Sequence, residues 1–216
     1  MNTILHYIAD PLCGWCFGAA PLLAASQKVS DLPIQLHLGG LFTAPNNQKA
    51  DAEMVRFIMS HHERITQLTG QTPSDKMSQL LNSGTAVLDS TPPIKACLAA
   101  EHAGGNILSY YQALIEAHFM DGLRIAEDET LCQIAVRCDI DTKDFQNAFS
   151  ALNEAAVVQH INASRALLQT VGGQGFPTFA LEQNGQVKML NHQRFFNNPT
   201  GWQESLNDIL ASETIH

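Results

Sequence analysis

The sequence predicts an α/β fold interrupted by a large α-helical insertion. Three observations predict it. Apolar runs of strand length occur near the two ends of the 216-residue chain. Between about residues 49 and 170 the apolar positions recur at helical spacing, and glycine- and proline-rich turns separate the two regimes. On this reading residues 1–48 and 165–216 build one discontinuous domain, and 49–164 form the inserted helical one. With 45% apolar residues the chain is long enough to bury a sizeable core.

Each element has a local signature. Ile4, Leu5, Tyr7 and Ile8 read as a short buried strand over 3–9, which Asp10-Pro11 ends. Phe17, Ala20, Leu23 and Ala24 continue at helical spacing and predict a helix over 14–29. Pro21, inside that helix, removes one backbone bond and predicts a kink. Ser30-Asp31-Leu32-Pro33 turns the chain into a second strand, Ile34–Leu38. This strand–helix–strand unit has about the minimum length of a parallel crossover. Gly39-Gly40 and residues 43–47 mark a loop.

The middle of the chain predicts helices at 49–69, 74–82, 91–103, 106–119, 127–138, 141–151 and 153–171. Thr91-Pro92-Pro93 opens one and Gly104-Gly105 closes it; Asp128 and Asp141 are expected caps, and Gly70 and Gly122 expected stops. After Gly172-Gly173-Gln174-Gly175, strands Phe176–Leu181 and Gln186–Leu190 flank an Asn184-Gly185 hairpin signal. Pro199 begins a final helix with Trp202, Leu206, Ile209 and Leu210 at helical spacing.

Charge narrows the partners. Twelve Lys and Arg stand against 21 Asp and Glu, a net −9, which argues against nucleic acid or an anionic membrane. No run reaches the length of a membrane span, and MNTILHYIADP lacks the basic-then-apolar pattern of a leader. The expected location is the cytoplasm, or the periplasm if a signal peptide has been removed. Five cysteines with one close pair do not make the disulfide framework of a secreted domain. Cys97, Cys132 and Cys138 fall in helical patterns and are expected to be small buried hydrophobes. Cys132 and Cys138, six apart, would lie on different faces of one straight helix.

The chemistry lies in Cys13-Gly14-Trp15-Cys16, where the strand pattern turns into a helix pattern. Two thiols three residues apart at a helix start can close a small disulfide ring, and the first sits by unpaired N–H groups that favour a thiolate. Zinc would need two more ligands, and no second Cys or Cys/His pair supplies them locally, so no metal is predicted. His61-His62-Glu63 lacks the HExxH spacing, and GGQG precedes a strand, not the helix of a phosphate-binding loop.

CGWC, Pro21 and Gly175-Phe176-Pro177-Thr178 together resemble the thioredoxin fold of the DsbA-like superfamily across essentially the whole chain. The segment from His6 to Gly18, with its D-x-x-C-x-W-C pattern, and the Gly172–Phe179 run are similar to the FrnE-type cytoplasmic dithiol oxidoreductases. The resemblance implies that Cys13 is the nucleophile and Cys16 the resolving thiol. It implies a cis bond before Pro177, with the Phe176 backbone pairing to an extended substrate. Trp15, beside the thiols, is expected to contact substrate or to pack on the insertion. Asp10 is either a proton relay to Cys16 or a turn residue. The implied activity is thiol–disulfide exchange, as a reductase or isomerase, on protein or small-molecule disulfides. The implied partner is a thiol reductant, either glutathione as co-substrate or a thioredoxin system, with no cofactor beyond the redox disulfide.

Two positions depart from the strongly oxidising periplasmic members: Gly14-Trp15 replaces Pro-His, and Phe176 stands where many relatives carry Val or Thr. Two other functional classes stay open on the residues. One is a glutathione-dependent transferase or isomerase of the kappa or hydroxychromene-carboxylate type, which an intact CxxC argues against. The other is a redox-sensing binding module.

Overall fold

The computed structural model describes residues 3–212. Its central strand is β1 (Thr3–Ala9), which pairs in parallel with β2 (Ile34–Leu38) from Leu5↔Ile34 to Ala9↔Leu38. On its other side β5 (Thr178–Gln183) runs antiparallel from Thr3↔Gln183 to Ile8↔Thr178, and β6 (Gln186–Met189) pairs antiparallel with β5. The order is β2-β1-β5-β6. Leu5 through Ala9 are all buried, so β1 is covered on both faces instead of alternating, with His6 the one polar residue in the run. Asn184 and Gly185 both take positive φ, 51° and 78°, the requirement of a tight two-residue hairpin turn. Strand β5 begins at Thr178, two residues later than expected, because the chain before it is a loop.

The first helical segment differs from its prediction. It is two short helices, α1 (Gly14–Gly18) and α2 (Ala20–Ser26), divided at Ala19, whose φ of −91° and ψ of 0° lie at the edge of the right-handed helical region, away from regular helix values. Pro21 occupies the first turn of α2, where its missing N–H removes no bond. The segment after Ser26 is a turn, so the helix ends three residues early.

The middle forms α3 (Ala52–Thr69), α4 (Asp75–Asn82), α5 (Thr91–His102), α6 (Ile107–Phe119), α7 (Asp128–Arg137), α8 (Thr142–Ala151) and α9 (Glu154–Thr170). Side chains of Asp51, Ser74, Asn106, Asp141 and Asn153 cap α3, α4, α6, α8 and α9 by accepting from backbone N–H groups. Asp128 lies in the first turn of α7 and is not its cap; Glu127 holds that position with no side-chain bond. A two-residue ladder, β3 (Gln48–Lys49) with β4 (Val87–Leu88), escapes the sequence, since two residues show no periodicity. It also delays α3 to Ala52, three residues after the predicted start.

One hydrophobic cluster joins Leu5 and Tyr7 of the sheet to Ile94, Leu114 and Phe145 of the helices. Helix α9 closes on β2, where the Leu38 N–H donates to His160 Nε2 at 3.1 Å. After β6, a 3-10 turn (His192–Phe195) leads into α10 (Pro199–Ser212), which packs on α2. Trp202 anchors that contact. It is buried, and its indole N–H donates to Ser26 Oγ at 2.8 Å, while Ser26 donates to the Leu22 carbonyl.

Ser26→Ala leaves the Trp202 N–H buried and unpaired. The expected loss is about 1–3 kcal/mol of unfolding free energy, read as a lower urea midpoint at unchanged m-value. An unchanged midpoint would show that the indole finds another acceptor.

Candidate active site

The sheet ends at Ala9, and Asp10-Pro11-Leu12 turn the chain into α1 with Cys13 at the position before its first residue. The Cys13 carbonyl accepts from the N–H groups of Cys16 and Phe17, at 3.0 and 3.1 Å. Both thiols are free, and they differ in burial: Cys13 is 5% exposed and Cys16 0%. The Cys13 thiol donates to the Phe176 carbonyl at 3.4 Å, a bond across 163 residues of chain. The Phe176–Pro177 bond is cis, and so is Ala44–Pro45, which the sequence did not flag. Burial pushes the Cys16 thiol up, and the Cys13 thiol beside it pushes the same way; the Asp10 backbone N–H opposes them.

Asp10 is completely buried, and its carboxylate accepts three hydrogen bonds. Leu12 N–H and the Ser90 hydroxyl donate to Oδ1 at 2.8 and 3.0 Å, and Leu41 N–H donates to Oδ2 at 2.7 Å. Burial raises its pKa, and these donors and the Arg165 charge lower it in part. The carboxylate thus fixes the turn that leads into Cys13. It also holds the loop after β2 and the start of α5 in place.

Glycines set how closely the walls approach. A Cβ on Gly39 would run into the Phe176 ring, so the side chain of the residue whose backbone carbonyl accepts from Cys13 sits directly on the Gly39 backbone. Gly14 and Gly18 are one turn apart on α1. A Cβ on either would fall 2.9 Å from an Ile65 side-chain atom, which is how α3 packs flat against the dithiol helix. Arg165, on α9, donates to the carbonyls of Gly39 and Gly40 and to Thr43 Oγ1 and so fastens the same loop.

Two spaces meet beside Trp15 and Phe176. A 610 Å³ cavity, bounded by Cys13, Phe42, Ile58, Ile65, Phe119 and Leu168 among others, opens under the helices. His62 and His118 also line it. Burial lowers both to about 4, so they are neutral at pH 7 and add no charge to an apolar wall. On the other side a groove runs past Trp15, Phe176, Pro177, Met189 and Phe196. Trp15 is half-buried and stacks on Phe196, with ring centroids 6.0 Å apart and planes at 18°. It therefore packs on the segment before α10, not only beside the insertion.

The structure brings together Asp10, Cys13, Trp15, Cys16, Phe176 and Pro177, all six residues singled out from the sequence. It adds Gly39, Ser90 and Arg165, which carry no motif of their own. The bare glycine pair 39–40 was legible only as a loop. Cys97 is buried, as expected, whereas Cys132 and Cys138 are half-buried. Among the described residues no cluster of three or more His, Cys, Asp or Glu could hold a metal, and no helix is long and apolar enough to cross a membrane.

Residues 4–198 match the DSBA-like thioredoxin domain model. The fold is similar to that of the cytosolic disulfide reductase DsbM from Pseudomonas aeruginosa, at 39% identity and a TM-score of 0.89, covering 96% of this chain and 98% of that one. A second structure of that reductase, with GSH, gives 38% identity, a TM-score of 0.87 and coverage of 96% and 99%. DsbA from the same organism shares the fold at 14% identity and a TM-score of 0.54, over 100% of this chain and 87% of that one. No curated protein sequence matches significantly.

Gly39→Ala drives a methyl group into the Phe176 ring, and about 1–3 kcal/mol of stability should be lost. Gly175→Ala meets nothing within 4 Å and should stay within about 0.5 kcal/mol of the parent. Urea unfolding of the two variants checks the pair, and equal losses would show that Phe176 is not seated on Gly39.

Stability should also fall on acidification. Burial lowers His37, His62, His118 and His192 to about 4 in the folded chain. Below the ordinary histidine value of about 6.5 the unfolded chain binds more protons, so stability is lost progressively from there toward pH 4. Asp10, raised in the folded state, acts in the opposite direction, but it is one group against four. Urea midpoints at pH 7 and pH 5 test the sign, and equal values would contradict the neutral-histidine assignment.

Proposed function

The chain belongs to the DSBA-like thioredoxin family, and from that premise we propose that it is a disulfide reductase working through Cys13 and Cys16. The observation that carries the reading is the free thiol pair, whose outer sulfur meets the Phe176 carbonyl where the cavity and the groove join. Cys13 is the more accessible sulfur and attacks a substrate disulfide as thiolate. Its bond to one substrate sulfur forms, the substrate S–S bond breaks, and the other sulfur leaves as a thiolate. Cys16 then gives its proton to Asp10 and attacks the Cys13 sulfur. The Cys13–Cys16 bond forms and the second substrate thiolate departs, taking up a proton. The substrate gains two electrons and the dithiol loses them.

Reduction, not oxidation, is favoured by likeness to a protein described as a cytosolic disulfide reductase. A structure of that protein with GSH supports glutathione as the thiol that returns the dithiol to its reduced form, two molecules per turnover. The same likeness supports a cytoplasmic location. The substrate end of the site is apolar. Phe42, Phe57, Ile58, Ile65 and Phe119 line the cavity, and Phe57 and Leu41 are 57% and 41% exposed. This favours a disulfide flanked by apolar side chains, laid with its backbone along Phe176-Pro177 and Trp15.

Cys13→Ser should abolish reduction of insulin disulfides, and Cys16→Ser should accumulate a mixed disulfide with substrate, visible by mass spectrometry. Full insulin reduction by both variants would remove the dithiol from the mechanism.

A further inference from the structure

Tyr7 of β1 and Tyr111 of α6 are 0% and 1% exposed, and their rings meet edge to face with centroids 5.9 Å apart. Among the described residues neither hydroxyl makes a hydrogen bond of ordinary geometry, although the two hydroxyls lie within reach of each other and Tyr7 within reach of the Cys16 thiol. The neighbouring Tyr110 shows the ordinary outcome, its hydroxyl donating to the Leu131 carbonyl at 2.8 Å. A buried hydroxyl left unpaired costs free energy, and a native core seldom carries two side by side. Phenylalanine at both positions would fill the same space without that cost.

The surroundings of the pair suggest what the hydroxyls are for. The Tyr7 hydroxyl lies close to both the Cys16 thiol and the Tyr111 hydroxyl, and Tyr111 lies within the field of Cys16. A thiol is a weak acceptor, whereas a thiolate takes hydrogen bonds strongly. The pair is therefore poorly matched to the resting dithiol and well matched to its ionised form. Cys16 is itself cut off from water, so its negative charge has to be met by protein groups.

We propose that Tyr111 and Tyr7 form a donor chain, Tyr111 to Tyr7 to the Cys16 sulfur, that closes when Cys16 becomes a thiolate. This rests on the reading of Cys16 as the resolving thiol. During resolution the Cys16 proton passes to Asp10, the thiolate attacks Cys13, and both tyrosines keep their protons throughout. On regeneration the reductant thiolate attacks Cys13, the Cys13–Cys16 bond breaks, and Cys16 leaves as a thiolate held by the same two donors. Neither half-reaction then asks a dry pocket to carry a bare charge, and linked donors strengthen one another.

The test uses the full chain with Tyr7→Phe and Tyr111→Phe. Cys13 is loaded with an aromatic thiol from a chromogenic disulfide, and release of the second coloured thiol reports attack by Cys16. Loss of a hydrogen bond to a charged sulfur should slow that release about tenfold at pH 7 for Tyr7→Phe, and less for Tyr111→Phe. The inflection of release rate against pH should move up by about one unit in Tyr7→Phe. The groups facing Cys16, and so able to shape that profile, are Tyr7, Asp10, Cys13 and Tyr111. The first step, attack by Cys13, should stay within about twofold, and urea midpoints should be unchanged or higher, since an unpaired hydroxyl has been removed.

Release rates and inflections within twofold of the parent would overturn the proposal. So would variants that lose stability or fail to fold, because the hydroxyls would then be structural. Unimpaired release by Cys16→Ser would instead overturn the reading on which the proposal rests.

Discussion

A fully buried carboxylate organises this molecule. Asp10 ends the central strand and gathers donors from three separate stretches of chain: Leu12 before the dithiol, Leu41 after β2, and Ser90 at the start of α5. Ser90 extends the connection, since its hydroxyl accepts from the Phe42 N–H and its own N–H donates to the Phe42 carbonyl. An isolated charge at this depth would be prohibitive, and even one lost donor would leave a poorly compensated anion. The three segments are thus held in one arrangement by the chemistry of a single residue. The dithiol turn, the loop beneath Phe176 and the first helix of the insertion's second half cannot move independently.

That arrangement makes the two sulfurs unequal. Cys13 lines the apolar cavity and faces the Phe176 carbonyl, and Cys16, one turn further, meets only buried groups. Around them Gly14, Gly18 and Gly39 remove the side chains that would hold the walls apart, and neutral histidines keep the cavity apolar. Low polarity discourages charge on the inner sulfur, and each pKa unit of that effect is about 1.4 kcal/mol. The proposed order of attack, outer sulfur first, is the one this asymmetry favours. The Gly-Trp pair between the cysteines takes part in the packing: Gly14 admits Ile65, while Trp15 turns away to stack on Phe196.

What the sequence made legible was local. The CGWC turn, Pro21, the Asn184-Gly185 hairpin and Phe176-Pro177 each declare themselves within a few residues, and the α/β halves around a helical middle follow from periodicity. The break at Ala19 did not, because Ala19 is an ordinary helix former and the neighbouring Pro21 predicts a kink within one helix rather than a division into two. Nor did the partners of the site. Asp10 to Ser90, Cys13 to Phe176 and Arg165 to Gly39 span 80, 163 and 126 residues, and no spacing rule reaches that far. Trp15 stands between the cysteines in sequence, but its stacking partner Phe196 lies near the opposite end of the chain.

These long contacts change how the helical insertion is understood. If it were only a cover, it would touch the dithiol from outside and set which substrates enter. Instead α3 packs into the glycine face of α1, α5 supplies Ser90 to Asp10, and α6 brings Tyr111 to the buried tyrosine beside Cys16. Helix α9 contributes Arg165 to the loop that seats Phe176. Three inserted helices, α3, α5 and α6, therefore reach the groups that govern the sulfurs, and α9 adds Arg165 where the insertion returns to the sheet domain. Substrate access and thiol reactivity are written into the same helices, so a change that reshapes the cavity through α3 or α6 also alters the surroundings of Cys16. In such a protein specificity and redox behaviour are expected to vary together, because one packed core carries both.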